Sequence, residues 1–201
     1  MKELVFATNN LHKIIEVQQL LQNRYRLLSL SDIGCNHEIE ETATTIEGNA
    51  ILKASFIRNN YGFDCFADDT GLEVDALNGK PGVFSARYSG FSHNHVANNT
   101  KLLKEMLGKS ERKARFRTII ALFTDNNNYL FEGLLNGVIS YSPIGTNGFG
   151  YDPIFIPDGY TKTLAEISLY EKNQISHRAR AVNKLIEFLN KSDYSNVNSP
   201  Q

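Results

Sequence analysis

Long apolar runs are absent from this 201-residue chain. None approaches the roughly 18 residues that cross a bilayer, so no transmembrane helix is expected. The opening MKELVFATNN has only four apolar residues before it turns polar, too few for a signal peptide. Cysteine is scarce. Cys35 and Cys65 form no CxxC and no disulfide framework, which points to a reducing, cytoplasmic setting. A charge excess is missing as well: 21 Lys+Arg face 22 Asp+Glu, a formal net charge of −1. That balance argues against a broad basic surface for nucleic acid, though it leaves room for a local anion pocket. The familiar glycine signatures of nucleotide folds are missing too. There is no GxxxxGK[ST] and no GxGxxG, and Gly145, Gly148 and Gly150 have the wrong spacing.

What remains is enough for a core. The apolar fraction is 41% and the charged fraction 21%, near globular values. Length and the lack of a linker or repeat favour one domain over 1–191, with 192–201 a polar tail expected to fray. Leu4 to Ala7 reads as a buried strand, followed by a helix carrying Ile14, Val17, Leu20 and Leu21. Arg26 to Leu30 reads as a second strand, and an acidic loop with Glu38, Glu40 and Glu41 follows. Thr44 and Glu47 have capping-box spacing ahead of a helix through Ala50, Ala54 and Ile57. Cys65 to Ala67 and Leu72 to Leu77 read as strands on either side of the polar step Asp68-Asp69-Thr70. A third helix carries Val96, Leu102 and Met106 and stops at Gly108. Arg112–Thr124 and Tyr129–Tyr141 are long strands joined by a hairpin turn at Asp125-Asn126-Asn127-Asn128. A glycine-rich loop with a short strand Ile154–Ile156 precedes the last helix, built on Val182, Leu185 and Leu189. Helices mixed with strands that include a long hairpin predict an α/β protein with a mixed sheet.

Four places carry chemistry. Thr8-Asn9-Asn10-Leu11-His12-Lys13 leaves a strand and enters a helix, where free N–H groups and the positive dipole end suit a phosphate. An ordinary N-cap followed by a surface lysine fits the same residues. Asp68-Asp69-Thr70 places two carboxylates at a strand end on alternate faces, one toward solvent and one into a cleft. Carboxylates with substrate phosphates are what Mg²⁺ prefers, and Glu40 or Glu41 could add another ligand. An Asp turn is the plainer reading. Gly148-Phe149-Gly150-Tyr151-Asp152 sets aromatic rings between glycines, where a base could stack. Lys172 and Ser176-His177-Arg178 place cations and donors just before the final helix. Taken alone, a tight glycine loop and a capped, solvated helix start are the plainer readings of those two.

Taken in order, four long stretches resemble the inosine/xanthosine triphosphate pyrophosphatase family, also called Ham1-like. They are FATNNLHKIIE, FADDTGLEVDALNGKPGVFSARYSG, GFGYDPIF and TLAEISLYEKNQISHRARA, spanning residues 5 to about 181. The family often has Gly where Asn9 stands and Ser where Thr70 stands; Thr70 keeps the hydroxyl. The resemblance implies an elongated α/β fold, a mixed sheet with flanking helices and two lobes around a central cleft. It implies hydrolysis of ITP, dITP and XTP to the monophosphate and pyrophosphate, with Mg²⁺ as cofactor, in a homodimer. By the same resemblance Thr8, Asn9, Asn10, Leu11, His12 and Lys13 form the triphosphate loop. Glu40 and Asp69 hold the metal, with Glu41 as the alternative to Glu40. Asp69 is also the general base and Thr70 touches substrate. Phe149, Gly150, Tyr151 and Asp152 wall the base pocket, and Lys172, His177 and Arg178 complete it. Two other classes stay open: a non-catalytic nucleotide-binding sensor, and a phosphatase that releases orthophosphate.

Overall fold

The computed structural model describes residues 2–21, 25–37, 39–90, 94–124 and 127–197. A single sheet organises them. Its order is β2 (Tyr25–Leu28), β1 (Lys2–Phe6), β3 (Cys65–Val74), β5 (Lys113–Phe123), β6 (Asn128–Ile139) and β7 (Phe155–Pro157). The two-residue β4 (Pro81–Gly82) pairs with β3 off this path. β1 is parallel to both β2 and β3, whereas β3, β5, β6 and β7 are antiparallel in turn. The sheet is mixed, as the alternation of helices and a hairpin predicts. Thr124 N–H donates to the Asn127 carbonyl at 3.0 Å where the hairpin closes; Asp125 and Asn126 lie outside the described residues.

Residues two apart on a strand share a face. On one face of β3, Cys65 and Ala67 pack with Ile119 and Ala121 against Ala50, Ala54 and Ile57 of α2 (Ile46–Tyr61). On the other, Phe66 packs with Ile120 and Leu122 against α1 (Leu11–Leu21) and α5 (His177–Val197). A third cluster, farther along the sheet, gathers Leu72, Val74, Phe116, Leu135 and Phe155 around Leu102 of α3 (His95–Glu105) and the following Met106.

Several local expectations change. β3 is one strand, not two. Its ladder with β5 runs unbroken from Cys65↔Phe123 to Val74↔Ala114, straight through Asp68, Asp69 and Thr70. It ends at Val74, since Asp75–Leu77 is a 3₁₀ turn. The N-cap of α2 is Thr45, not Thr44: Thr45 has extended backbone and its Oγ1 accepts from Gly48 N–H at 3.0 Å. Glu47 therefore closes no capping box and pairs with Arg117 instead. A short helix α4 (Leu169–Ile175), started by Ser168, was not legible, because LYEKNQI has no helical apolar stripe. His177 and Arg178 open α5 rather than precede it; Ser176 Oγ accepts from Ala179 N–H at 3.1 Å as its cap. The helix continues past Lys191 to Val197, and 198–201 lie outside the described residues.

Candidate active site

A cavity of about 1050 Å³ opens where the clusters meet. Ala7, Leu30, Leu72, Phe116 and Tyr151 supply apolar wall, and charged groups converge between them. The turn from β1 into α1 forms one side. Thr8 Oγ1 accepts from Asn10 N–H at 3.1 Å. Asn10 Oδ1 accepts from the N–H groups of His12 and Lys13 at 3.1 and 3.3 Å, so this side chain caps α1. Thr8, Asn9, Asn10 and Lys13 all line the cavity. Leu11 is 70% exposed and not in its wall. His12 lines a second cavity of about 420 Å³ and stacks on Phe149 with ring centroids 5.2 Å apart. Only part of the six-residue run thus faces the main cleft.

The two aspartates of β3 point to opposite faces, and neither points to solvent. Asp68 is 1% exposed and Asp69 is 6% exposed. Asp68 Oδ1 meets Lys13 Nζ at 2.7 Å and its Oδ2 meets Arg178 Nε at 3.0 Å. Burial alone would push this carboxyl up, but the two cations outweigh it and hold the group well below the usual carboxylate range. Asp69 lines the cavity, and Asp68 does not. Asp69 Oδ2 accepts from Asn49 Nδ2 at 3.2 Å and its Oδ1 accepts from Thr70 N–H at 2.9 Å. Lys53 Nζ lies 4.0 Å from Oδ1. Burial dominates here, and with the nearby charge of Glu41 it raises the Asp69 carboxyl above its ordinary value despite Lys53. One carboxylate is held as an anion; its neighbour has a raised proton affinity.

Glu40 is exposed and lines the cavity. Glu41 lines it too, half-buried, with Oε1 at 2.6 Å from Lys53 Nζ and Oε2 at 3.5 Å from Arg87. Among the described residues no three His, Cys, Asp or Glu side chains come together as a ready-made cage for a metal.

The far end of the cleft is built on glycine geometry. Gly148 and Gly150 have φ of +73° and +66°. A Cβ on Gly148 would stand 2.0 Å from Asp152 Oδ2, which must fold back to accept from Phe149 N–H at 2.8 Å. The same oxygen accepts from Lys172 Nζ at 2.7 Å. Burial raises the Asp152 carboxyl in spite of that lysine. Tyr151 spends its hydroxyl on the Ser85 carbonyl at 2.9 Å. His177 stacks on Phe116 at 4.5 Å and 13°, and its buried Nδ1 has no hydrogen-bond partner. Burial first, then Arg178 and Lys172, push its pKa well below normal, so the ring is neutral near pH 7.

Residues absent from the sequence reading complete the set. Glu16, 3% exposed, joins Lys172 at 2.8 Å to Arg178 at 2.5 Å. The buried charges thereby alternate from Asp152 through Lys172, Glu16, Arg178 and Asp68 to Lys13. Lys53 and Asn49 were readable in principle: both sit inside the apolar stripe Ile46, Ala50, Ala54, Ile57, where a polar residue needs a partner. Arg87 gave no such signal.

A cleft of this kind suits an α/β protein that gathers a polyphosphate with buried cations and works on it with a carboxylate. Comparison with known proteins makes that specific. The sequence profile described as the Ham1 family matches residues 4–188, and the chain belongs to that family. A Flavobacterium psychrophilum protein named dITP/XTP pyrophosphatase is 56% identical over 186 residues, covering 92% of this chain and 98% of that one. A Bacillus licheniformis protein of the same name is 47% identical over 196 residues, covering 96% and 100%. The solved structure of the Staphylococcus aureus Ham1 protein is 40% identical, covers 95% of this chain and 100% of its own, and superposes with a TM-score of 0.87.

Proposed function

We propose that the chain is a nucleoside-triphosphate pyrophosphatase that hydrolyses noncanonical purine nucleoside triphosphates such as ITP, dITP and XTP to the monophosphate and pyrophosphate. The observation that carries the reading is Asp69. It faces the cleft, is anchored through both oxygens, and has a raised proton affinity beside buried lysines. The names of relatives at 56% and 47% identity supply the substrate class.

The chemistry follows from that placement. Asp69 takes a proton from a water whose oxygen bonds to the α-phosphorus. The bond from that phosphorus to the α,β-bridging oxygen breaks, and pyrophosphate leaves. Lys13 at the start of α1 and Lys53 from α2 offset the phosphate charge. A Mg²⁺ cofactor fits the donor set. Asp69 with Glu40 or Glu41 provides hard oxygens in one cavity, and Mg²⁺ sites use one or two carboxylates with substrate phosphates. Bound there, Mg²⁺ would supply charge neutralisation at the phosphates. Loss of turnover on chelation, restored by Mg²⁺, is the check.

The nucleobase lies at the Phe149 end. Lys172 and Arg178 are donors with no acceptor capacity, so they suit a 6-oxo group and oppose a 6-amino group. We expect ATP to be turned over with kcat/KM up to about 10⁴-fold below that of ITP, since a 6-amino group offers these donors no acceptor. Values for ATP and ITP within about tenfold of each other would contradict the base assignment.

The resemblance to the pyrophosphatase family supports a cytoplasmic homodimer. Light scattering at micromolar concentration is expected to give twice the 22.6 kDa chain mass; a monomer mass would overturn this.

A further inference from the structure

Among the described residues, five Lys or Arg side chains line the main cavity: Lys13, Lys53, Arg87, Lys172 and Arg178. Their side-chain exposures are 15%, 10%, 35%, 4% and 2%. The four more buried ones each hold a carboxylate at 3.0 Å or less. Arg87 is engaged far more loosely. Its Nη2 donates to the Glu41 backbone carbonyl at 3.2 Å, and its Nη1 stands 3.5 Å from Glu41 Oε2, the outer limit of a hydrogen bond. The guanidinium lies 5.4 Å from the Phe84 ring centroid. These contacts leave the greater part of the donor fork open.

The backbone beneath it is pinned. Arg87 ends the 3₁₀ turn Ser85–Arg87. Ser85 Oγ donates to the Gly82 carbonyl at 2.6 Å and accepts from Leu72 N–H at 2.9 Å. The Ser85 carbonyl accepts from Tyr151 Oη at 2.9 Å, and Asn98 Nδ2 donates to the Ala86 carbonyl at 3.2 Å. A fixed base with an open fork is preorganised for an anion.

Its place along the cleft says which anion. On the proposed reading Phe149, Asp152 and Lys172, tied together through Asp152 Oδ2, are the nucleobase end. Asp69 marks the α-phosphorus on the proposed reaction. Arg87 lies on a third group of contacts, through Glu41 to Lys53 and from there to Asp69. On that reading the β- and γ-phosphates lie beyond the α-phosphorus, and the contacts that lead from Asp69 through Lys53 and Glu41 end at Arg87.

We propose that Arg87 grips the β- and γ-phosphates, the portion that leaves as pyrophosphate, and makes the enzyme favour triphosphates. This rests on the pyrophosphatase reading of the same cleft. A guanidinium can bond two phosphate oxygens at once, which a lysine cannot match as a point charge. The competing role is structural: Arg87 only holds the acidic loop through the Glu41 carbonyl.

Calorimetry with inorganic pyrophosphate and with IMP, both in Mg²⁺ buffer, separates the two. Arg87→Ala is expected to weaken pyrophosphate about tenfold to a hundredfold, the loss of a charge-assisted contact, and to leave IMP unchanged. The KM for ITP should rise in step. Arg87→Lys should recover part of the pyrophosphate affinity. Arg87→Gln keeps a donor for the Glu41 carbonyl but no charge, and should bind pyrophosphate as poorly as Arg87→Ala. Unchanged pyrophosphate binding in Arg87→Ala, equal loss of pyrophosphate and IMP, or full recovery by Arg87→Gln would each overturn the proposal. Should Arg87→Ala not fold, the Lys and Gln variants decide it. Wild-type enzyme releasing orthophosphate from ITP would sink the reaction reading instead, and the calorimetry would still decide whether Arg87 binds pyrophosphate.

Discussion

Asp69→Asn is expected to fold and to lose about 10²–10⁴ in kcat, the usual value of a positioned general base. The substitution removes the acceptor of the water's proton without changing side-chain volume. It is not silent structurally. Asp69 accepts from both Asn49 Nδ2 and Thr70 N–H, and an amide can accept through only one of its two heads. Asn49 cannot simply turn over to compensate, because its Oδ1 already accepts from Ala43 N–H at 2.9 Å. One donor at the rim of a buried site is therefore left facing an NH₂ group, at a cost of about 1–3 kcal/mol. That is well inside the ordinary stability of a domain, so circular dichroism should show the native fold. Pyrophosphate release at saturating Mg²⁺ is the measurement. Residual activity above about a tenth of wild type would remove Asp69 from the role of base.

What could be read from the residue order, and what could not, divides along the range of the interactions involved. The long-strand signals held up, while the capping-box reading at Thr44 and Glu47 did not. The long strands expected over Arg112–Thr124 and Tyr129–Tyr141 match β5 and β6 to within a residue or two, and the turn after Ala7 led into a capped helix. The resemblance to a family identified the cleft residues, most of which the fold brings to one cavity. Long-range pairing was not legible. Asp68-Asp69-Thr70 looks like a break in an apolar strand because charges inside a sheet cost too much alone. The charges of Asp68 are met by Lys13, 55 residues away, and by Arg178, 110 residues away. With those partners in place the strand continues without interruption. Glu16 was hidden for the same reason, since its partners lie on α4 and α5. Leu11 stands apart from the rest of its run: Asn10 lines the cleft and His12 a second cavity, whereas Leu11, at the start of α1, is exposed.

Asp68→Asn should damage stability more than it damages chemistry directly. Asp68 is outside the cavity wall, so no substrate contact is removed. Its carboxylate is the common partner of Lys13, largely screened from solvent, and of Arg178, fully buried. An amide oxygen can still accept from one of them, but the negative charge that offsets two cations is gone. Removing one partner from a buried ion pair costs about 3–5 kcal/mol, because the remaining charge stays buried without compensation. For a chain of this size that lowers Tm by roughly 6–20 °C. The pH dependence carries the sign. The folded carboxyl sits below its unfolded value near 3.9, so its contribution is complete above about pH 5 and fades as pH falls below the unfolded value. Wild type and Asp68→Asn should therefore melt far apart at pH 7 and draw together below about pH 4. Lys13 and Arg178 would also lose the anchor that orients them, so activity at a temperature where the variant is folded should fall through KM for the triphosphate before kcat. A variant as stable as wild type at pH 7, or a gap that does not narrow in acid, would mean that Asp68 is not the clamp between α1 and α5 that its two contacts define.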